Sequence, residues 1–217
     1  MMLQDIDELN EYFASEETLQ EKVQVIIDRL DIPVRKMLST LQMIHSETGF
    51  KTINSVCVQA RTHLVQVKRD IDELQTVLSK FDFYRFIEMW QNIFRKLIFL
   101  VSLLVYLEDD RLVTLEECAE IIGLHNLPID EEIYLSGLVD LSRELVRLAT
   151  NSVTYQDYNK PSQILDFINR LYTCVLSFDV DEEDDDQQMN KNMDHVKNNL
   201  RNVEKVVYSL SSRKLLD

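Results

Sequence analysis

Asp140 and Glu144 stand one helical turn apart, a spacing at which two carboxylates can share Mg²⁺ and activate water on a phosphodiester. Arg143 and Arg147 lie beside them and can neutralise both as surface ion pairs. Glu116 and Glu117 are adjacent and point in different directions. The histidines (His45, His63, His125, His195) are scattered, with no Ser or Cys partner at a motif spacing. A glycine-rich phosphate loop is absent. The residues alone lend catalysis little support. Asp140 and Glu144 are its candidates, Mg²⁺ is the cofactor a nuclease would need, and no other metal or cofactor is indicated.

A second chemistry is better supplied. Arg61, His63, Lys68 and Arg69 form one basic cluster, and Arg85, Arg95 and Lys96 form another, with Phe83, Tyr84, Phe86 and Trp90 interleaved. Guanidinium groups pair with phosphates and aromatic rings stack unpaired bases, the combination that single-strand binders use. The competing reading makes the aromatics core residues and the arginines surface ions. Lys197, Arg201 and Lys205, spaced four apart, add a third cationic group near the C-terminus. From Gln187 onward six basic residues face three acidic ones, which suits either phosphates or the acidic face of another subunit.

The charge background constrains such a site. Net charge is −15, of which DVDEEDDD (Asp179 to Asp186) carries seven negative charges. Any nucleic-acid site is therefore a local patch and not a general field. The acidic run cannot bury apolar surface and repels itself, so a mobile solvated loop is expected at about 179–187. It lacks the glycine and spacing of an EF-hand. Cys57, Cys118 and Cys174 are far apart and odd in number, which fits buried reduced thiols in a cytoplasmic or nuclear setting. The acidic first residues have no secretory-signal pattern. The most apolar run, LIFLVSLLVYL (Leu97 to Leu107), has eleven residues where a bilayer span needs about 20, so a buried central helix is expected, with no membrane partner.

The elements that position these groups are helical. Only three glycines (Gly49, Gly123, Gly137) and three prolines (Pro33, Pro128, Pro161) punctuate 217 residues, too few for a turn-rich β fold. Apolar periodicity predicts a helix over Met2 to Leu30, a kink or short break near Asp31 to Pro33, and a continuation through Met37, Leu41 and Ile44 to Gly49. Further helices are predicted over Ile53 to Lys80 and Asp82 to Leu107. Another begins after Thr114, capped with Glu117 and stopped by Gly123. The next spans Asp130 to Ala149, followed by a loop, TNSVTYQDYNKP, that ends at Pro161. Ile164, Ile168, Leu171, Val175 and Phe178 form a heptad-like seam, read as one face of a bundle helix. A last helix is predicted over Gln188 to Leu210. The whole chain, 1–217, reads as one all-α domain, a bundle of about seven helices.

FYRFIEMWQNIFRKLIFLVSLLVYLE (Phe83 to Glu108), followed by LVT at Leu112 to Thr114, resembles a signature stretch of the translin family. YLSGLVDLSRELVRLATNSVT (Tyr134 to Thr154) is similar to a second signature. DYNKP (Asp157 to Pro161), FIN (Phe167 to Asn169) and VEKVVYSLSSRK (Val203 to Lys214) resemble later segments in the same order. The resemblance implies an all-α bundle that assembles into a hollow homo-oligomer, usually an octamer. It further implies binding of single-stranded DNA and RNA, and partnership with the paralogue translin-associated factor X. That pair forms an endoribonuclease complex promoting RNA silencing, in which the paralogue carries the catalytic acids. By this reading Arg85, Phe86, Arg61, Arg95 and Lys96 are the nucleic-acid-binding candidates, and the chain is cytoplasmic and nuclear.

Two departures qualify the resemblance. The paralogue's paired glutamates fall here at Lys96 and Phe99, which cannot bind a metal, while its catalytic aspartate is matched by Asp140. The family's additional basic and imidazole groups fall at Ile87, Met89 and Gln91, leaving Arg85 from that cluster. Three functions follow as alternatives. The first is a binding and scaffolding subunit without its own catalytic centre. The second is a weak Mg²⁺-dependent endoribonuclease using Asp140 with Glu144 or Glu108. The third is a structural oligomer with reduced nucleic-acid binding.

Overall fold

A computed structural model describes residues 2–177 and 187–216, with side chains left undescribed at 2–13, 80, 187 and 188. The expected acidic loop at 179–187 lies, apart from Gln187, outside the described residues, as does Phe178 of the heptad-like seam. Among the described residues all regular structure is helical. In chain order it comprises α1 (Met2–Leu41), a 3-10 turn (Gln42–His45), α2 (Glu47–Lys51), α3 (Ile53–Val77), α4 (Lys80–Arg85), α5 (Ile87–Asp109), α6 (Leu115–Ile122), α7 (Glu131–Thr154), α8 (Lys160–Ser177) and α9 (Gln187–Ser212). α1 lies along α3 and α5, while α7 packs on α5, α8 and α9. The helix pair α5–α7 thus joins the two halves of the bundle.

α5 is long and apolar enough by composition to cross a membrane, yet 67% of its most apolar window is buried inside the bundle. Leu97, Ile98, Leu100, Val101, Leu103 and Leu104 face neighbouring helices, as a central core helix requires. Burying each such side chain contributes about 1.5–3 kcal/mol. The seam residues Ile164, Ile168, Leu171 and Val175 are likewise buried and form one face of α8.

Several helix boundaries differ from the sequence expectation; the stretch expected to continue to Gly49 ends as α1 at Leu41, with a 3-10 turn and extended Ser46 before α2. The expected break near Pro33 does not occur, because α1 runs through it. An internal proline costs about 3 kcal/mol, but Val23, Ile26, Ile27, Leu30, Val34, Met37 and Leu41 are all buried and hold α1 in place. Asp31 pairs with Arg35 and Lys96 instead of capping a new helix.

Conversely, the helix expected as continuous from Asp82 divides at Phe86, giving α4 and α5. The Trp90 indole N–H donates to the Phe83 carbonyl at 3.0 Å. That carbonyl is the acceptor Ile87 would use in an unbroken helix. α3 stops at Val77, where Ser79 caps α4 by accepting from the Asp82 N–H.

α7 continues to Thr154, past the expected end at Ala149, so the connector shrinks to five residues, 155–159. The turn is closed by Asp157 N–H to Ser152 O at 2.9 Å and Gln156 N–H to Val153 O at 3.1 Å. Gln156 adopts φ 66° there, the left-handed position glycine usually fills.

Other boundaries follow the sequence. Thr114 accepts from the Glu117 N–H at 3.2 Å, and Gly123 takes φ 85° at the end of α6. Asp130 caps α7 through the N–H groups of Glu132 and Ile133. Pro161 occupies the first turn of α8.

Candidate nucleic-acid interface and the neutralised carboxylate pair

The short helix α4 decides what the aromatic cluster does. Phe83 and Trp90 stack with centroids 3.8 Å apart, and Phe94 meets Trp90 edge-on at 4.9 Å. Phe83, Phe86 and Trp90 are all buried. The expectation that Phe86 binds nucleic acid by stacking is corrected accordingly: its ring is only 7% exposed and offers no open face to a base. Phe86 instead lies beneath the Arg85 guanidinium, 5.0 Å from ring centroid to Cζ, in a cation–π contact. The exposed rings are Tyr84 (51%) and Phe81 (75%). Tyr84 is one of the interleaved aromatics, and Phe81, two residues before Phe83, is a further exposed ring on the same short helix.

The five binding candidates do not gather into one patch. Arg85 sits at the end of α4, paired with Glu16 and, at 3.6 Å, with Asp82. Arg95, roughly 12 Å further along if measured from Ile87 on α5, bonds Asp140 of α7 at 3.1 Å. Lys96 turns to the other side and reaches Asp31 of α1 at 3.8 Å. Arg61 chelates Glu108 at the far end of α5, with its Nε 2.7 Å from Oε1. Glu108 lies twelve residues beyond Lys96, roughly 18 Å at 1.5 Å per residue.

Arg95 lines a polar cleft of about 280 Å³ with Ile87, Gln91, Asn92, Asp130, Glu132 and Ser136. Ile87 and Gln91 are two of the positions where the family resemblance expects basic or imidazole groups. The cleft therefore holds one cation, two amide side chains and two carboxylates, so it offers hydrogen bonds to base edges but carries a net negative formal charge. Together with the exposed Tyr84 and Phe81 and the half-buried, ion-paired Arg85, it makes the α4–α5 face the best candidate interface.

Asp140 and Glu144 occupy a neighbouring pocket of about 270 Å³ that also includes Arg35, Lys96, Phe99 and Arg143. Arg95 and Arg143 (3.2 Å) both bind Asp140. Glu144 accepts from Gln42 Nε2 at 2.6 Å and from His45 Nε2 at 2.5 Å, with Arg147 at 3.7 Å. His45 is buried, and Asn151 Nδ2 donates to its Nδ1 at 3.0 Å, which places the proton on Nε2. Burial alone would raise the Glu144 carboxyl. The bonds from His45 and Gln42 and the charge of Arg147 outweigh it and hold the group below the ordinary carboxylate range. Each carboxylate is thus occupied by protein donors, and the third candidate, Glu108, is held by Arg61. This donor set does not fit a shared Mg²⁺.

Of the three cysteines, Cys57 and Cys118 are buried. Burial pushes the Cys57 thiol up to about 11 and the Cys118 thiol up to about 12.

The Translin family profile matches residues 18–214. Translin of Mus musculus is 36% identical over 211 residues, spanning 95% of this chain and 91% of its own length. Translin of Homo sapiens gives the same identity and coverage, and that of Gallus gallus is 35% identical over 207 residues, covering 93% of this chain and 89% of its own length.

The chain belongs to the translin family.

Its fold agrees. The apo-NeC3PO structure superposes with a TM-score of 0.65 at 18% identity, covering 94% of this chain and 95% of that one. AfC3PO in complex with duplex RNA gives 0.69 at 13% identity, covering 98% and 99%. At those identities the likeness establishes the translin-type fold, and function is argued from the residues themselves.

Proposed function

We propose that this translin-family chain is a self-assembling, single-stranded DNA- and RNA-binding subunit without a nuclease centre of its own. The observation that carries the reading is the family match over 18–214 together with the α4 surface, where the exposed Tyr84 ring stands beside the ion-paired Arg85 on a Phe83–Trp90–Phe94 base. Rings supply sequence-tolerant stacking and the guanidinium supplies phosphate pairing. The oligomer is proposed to be a hollow octamer. A translin-associated factor X paralogue would provide the acids for an endoribonuclease complex in RNA silencing, in both cytoplasm and nucleus.

The neutralised Asp140 and Glu144 favour this division of labour over an intrinsic Mg²⁺ nuclease. The test is a gel shift and a cleavage assay on one labelled single-stranded RNA, with and without Mg²⁺. A shift without cleavage supports the proposal. Cleavage abolished by Asp140→Asn overturns the non-catalytic part, and no shift at low salt leaves a purely structural oligomer.

A further inference from the structure

We infer that α9 carries a second contact track for single-stranded nucleic acid, distinct from the α4–α5 face. This inference rests on the proposed function for its ligand class.

Lys197, Arg201 and Lys205 are exposed and recur every four residues, and Arg213 follows two turns after Lys205. Lys197, Arg201 and Lys205 are about 6 Å apart along the axis and Arg213, just past the helix end, lies roughly 12 Å beyond Lys205, so they form one ridge that winds gradually around the helix. Among the described residues none of these four has a carboxylate partner, in contrast to Arg61, Arg85, Arg95 and Lys96, which are all paired. Lys205 makes only a 3.4 Å bond to Asn202 Oδ1. In a chain of net charge −15, unpaired cations in series are the groups that release counterions when a polyanion binds.

A groove beside the ridge argues for a nucleotide ligand over an acidic protein surface. It measures about 580 Å³ and is formed by Val153 and Thr154 of α7, Tyr158 of the connector, and Lys205, Ser209 and Arg213. Its C-terminal end is fixed by a terminating turn in which Leu215 N–H bonds Leu210 O at 3.1 Å and Lys214 N–H bonds Ser211 O at 2.9 Å. That turn directs Leu215 back toward Leu210, and both line the groove. The groove therefore joins apolar walls and a phenol ring to two cations. Its volume lies in the range of small-ligand pockets, about 300–1,000 Å³. An unstacked base can fill it while its flanking phosphates meet Lys205 and Arg213.

The experiment uses the intact chain and a fluorescein-labelled single-stranded oligodeoxynucleotide, read by anisotropy across a salt series, with light scattering on every sample. Lys205→Gln/Arg213→Gln is expected to bind roughly tenfold more weakly at low salt. Its log–log salt slope should be shallower by about 1.4, from about 0.7 per lost single-strand phosphate contact. Tyr158→Ala should weaken binding and leave the slope unchanged. If the wild type binds while the double variant keeps its affinity and slope, the α9 track is wrong and the proposed function stands. If the double variant loses binding only together with a change of particle mass, the face joins subunits and the inference is overturned. If the wild type itself binds nothing, the proposed function falls first.

Discussion

Across the α5–α7 crossing, the guanidinium of Arg95 meets the carboxylate of Asp140 at 3.1 Å. One is a candidate for binding phosphate and the other for holding a metal, and each neutralises the other. The contact depends on Gly137, one turn before Asp140. A Cβ at Gly137 would lie 2.5 Å from Ile98 Cγ2 and 3.2 Å from the Arg95 carbonyl oxygen. The absence of that side chain lets the two helices approach closely enough for the pair to form.

Gly137→Ala should therefore be destabilising in spite of alanine's better helix propensity. Ile98 is β-branched and buried and cannot turn aside, so an overpacking cost of about 1–3 kcal/mol is expected. For a chain of this size that lowers Tm by roughly 2–4 °C per kcal/mol. Thermal denaturation followed by circular dichroism measures it; an unchanged or raised Tm would show that the crossing is looser than described.

Asp140→Asn separates the two roles of the pair. Removing the carboxylate charge releases Arg95 into the polar cleft, where Asp130 and Glu132 stand beside Gln91 and Asn92. Single-strand affinity should rise a few-fold, and the salt slope should steepen by up to about 0.7, one added phosphate contact. A fall in affinity would mean that Asp140 is needed to orient Arg95.

Glu144 gives a pH signature. Its folded-state carboxyl is held below the ordinary value of 4.5. The stabilisation it provides is complete above that unfolded value and is lost as pH falls through the lower folded value. Urea denaturation of wild type and Glu144→Gln should show the wild type ahead at pH 6 to 7, with the gap narrowing as the pH drops below about 4.5. A gap that stays constant down that range would contradict the assigned His45–Glu144–Gln42 arrangement.

At the end of α7, Gln156 holds φ 66°. Left-handed backbone costs a non-glycine residue about 1 kcal/mol or more, so Gln156→Gly should stabilise the chain by about 0.5–1 kcal/mol. The same urea measurement detects it, and a loss of stability would assign a packing role to the Gln156 side chain.

The helices were legible because their cause is local. Periodic apolar residues such as Ile164, Ile168, Leu171 and Val175 specify a buried face wherever the helix lies. The α4–α5 division was not legible, since it turns on the Trp90 indole reaching back to the Phe83 carbonyl, a side-chain choice that periodicity does not encode. The end of α7 was missed because Gln156 stands where glycine would have signalled a stop. At the site, Arg143 and Arg147 were legible as partners of Asp140 and Glu144, all four being near neighbours on α7. The sequence could not place Arg61 on Glu108, 47 residues away, nor His45 on Glu144, 99 residues away. Those pairings exist only once helices from distant parts of the chain are packed. Burial separated Phe86 from Tyr84, two aromatics the sequence treats alike.

The most direct test of a self-assembling single-strand binder is an anisotropy titration of a labelled single-stranded oligonucleotide at low and physiological salt, run alongside light scattering. The predicted result is saturable binding by a multi-subunit particle, weakening with salt and reduced by a Tyr84→Ala/Arg85→Gln double variant that keeps its mass. A monomer, or a particle that binds no oligonucleotide at low salt, would contradict it.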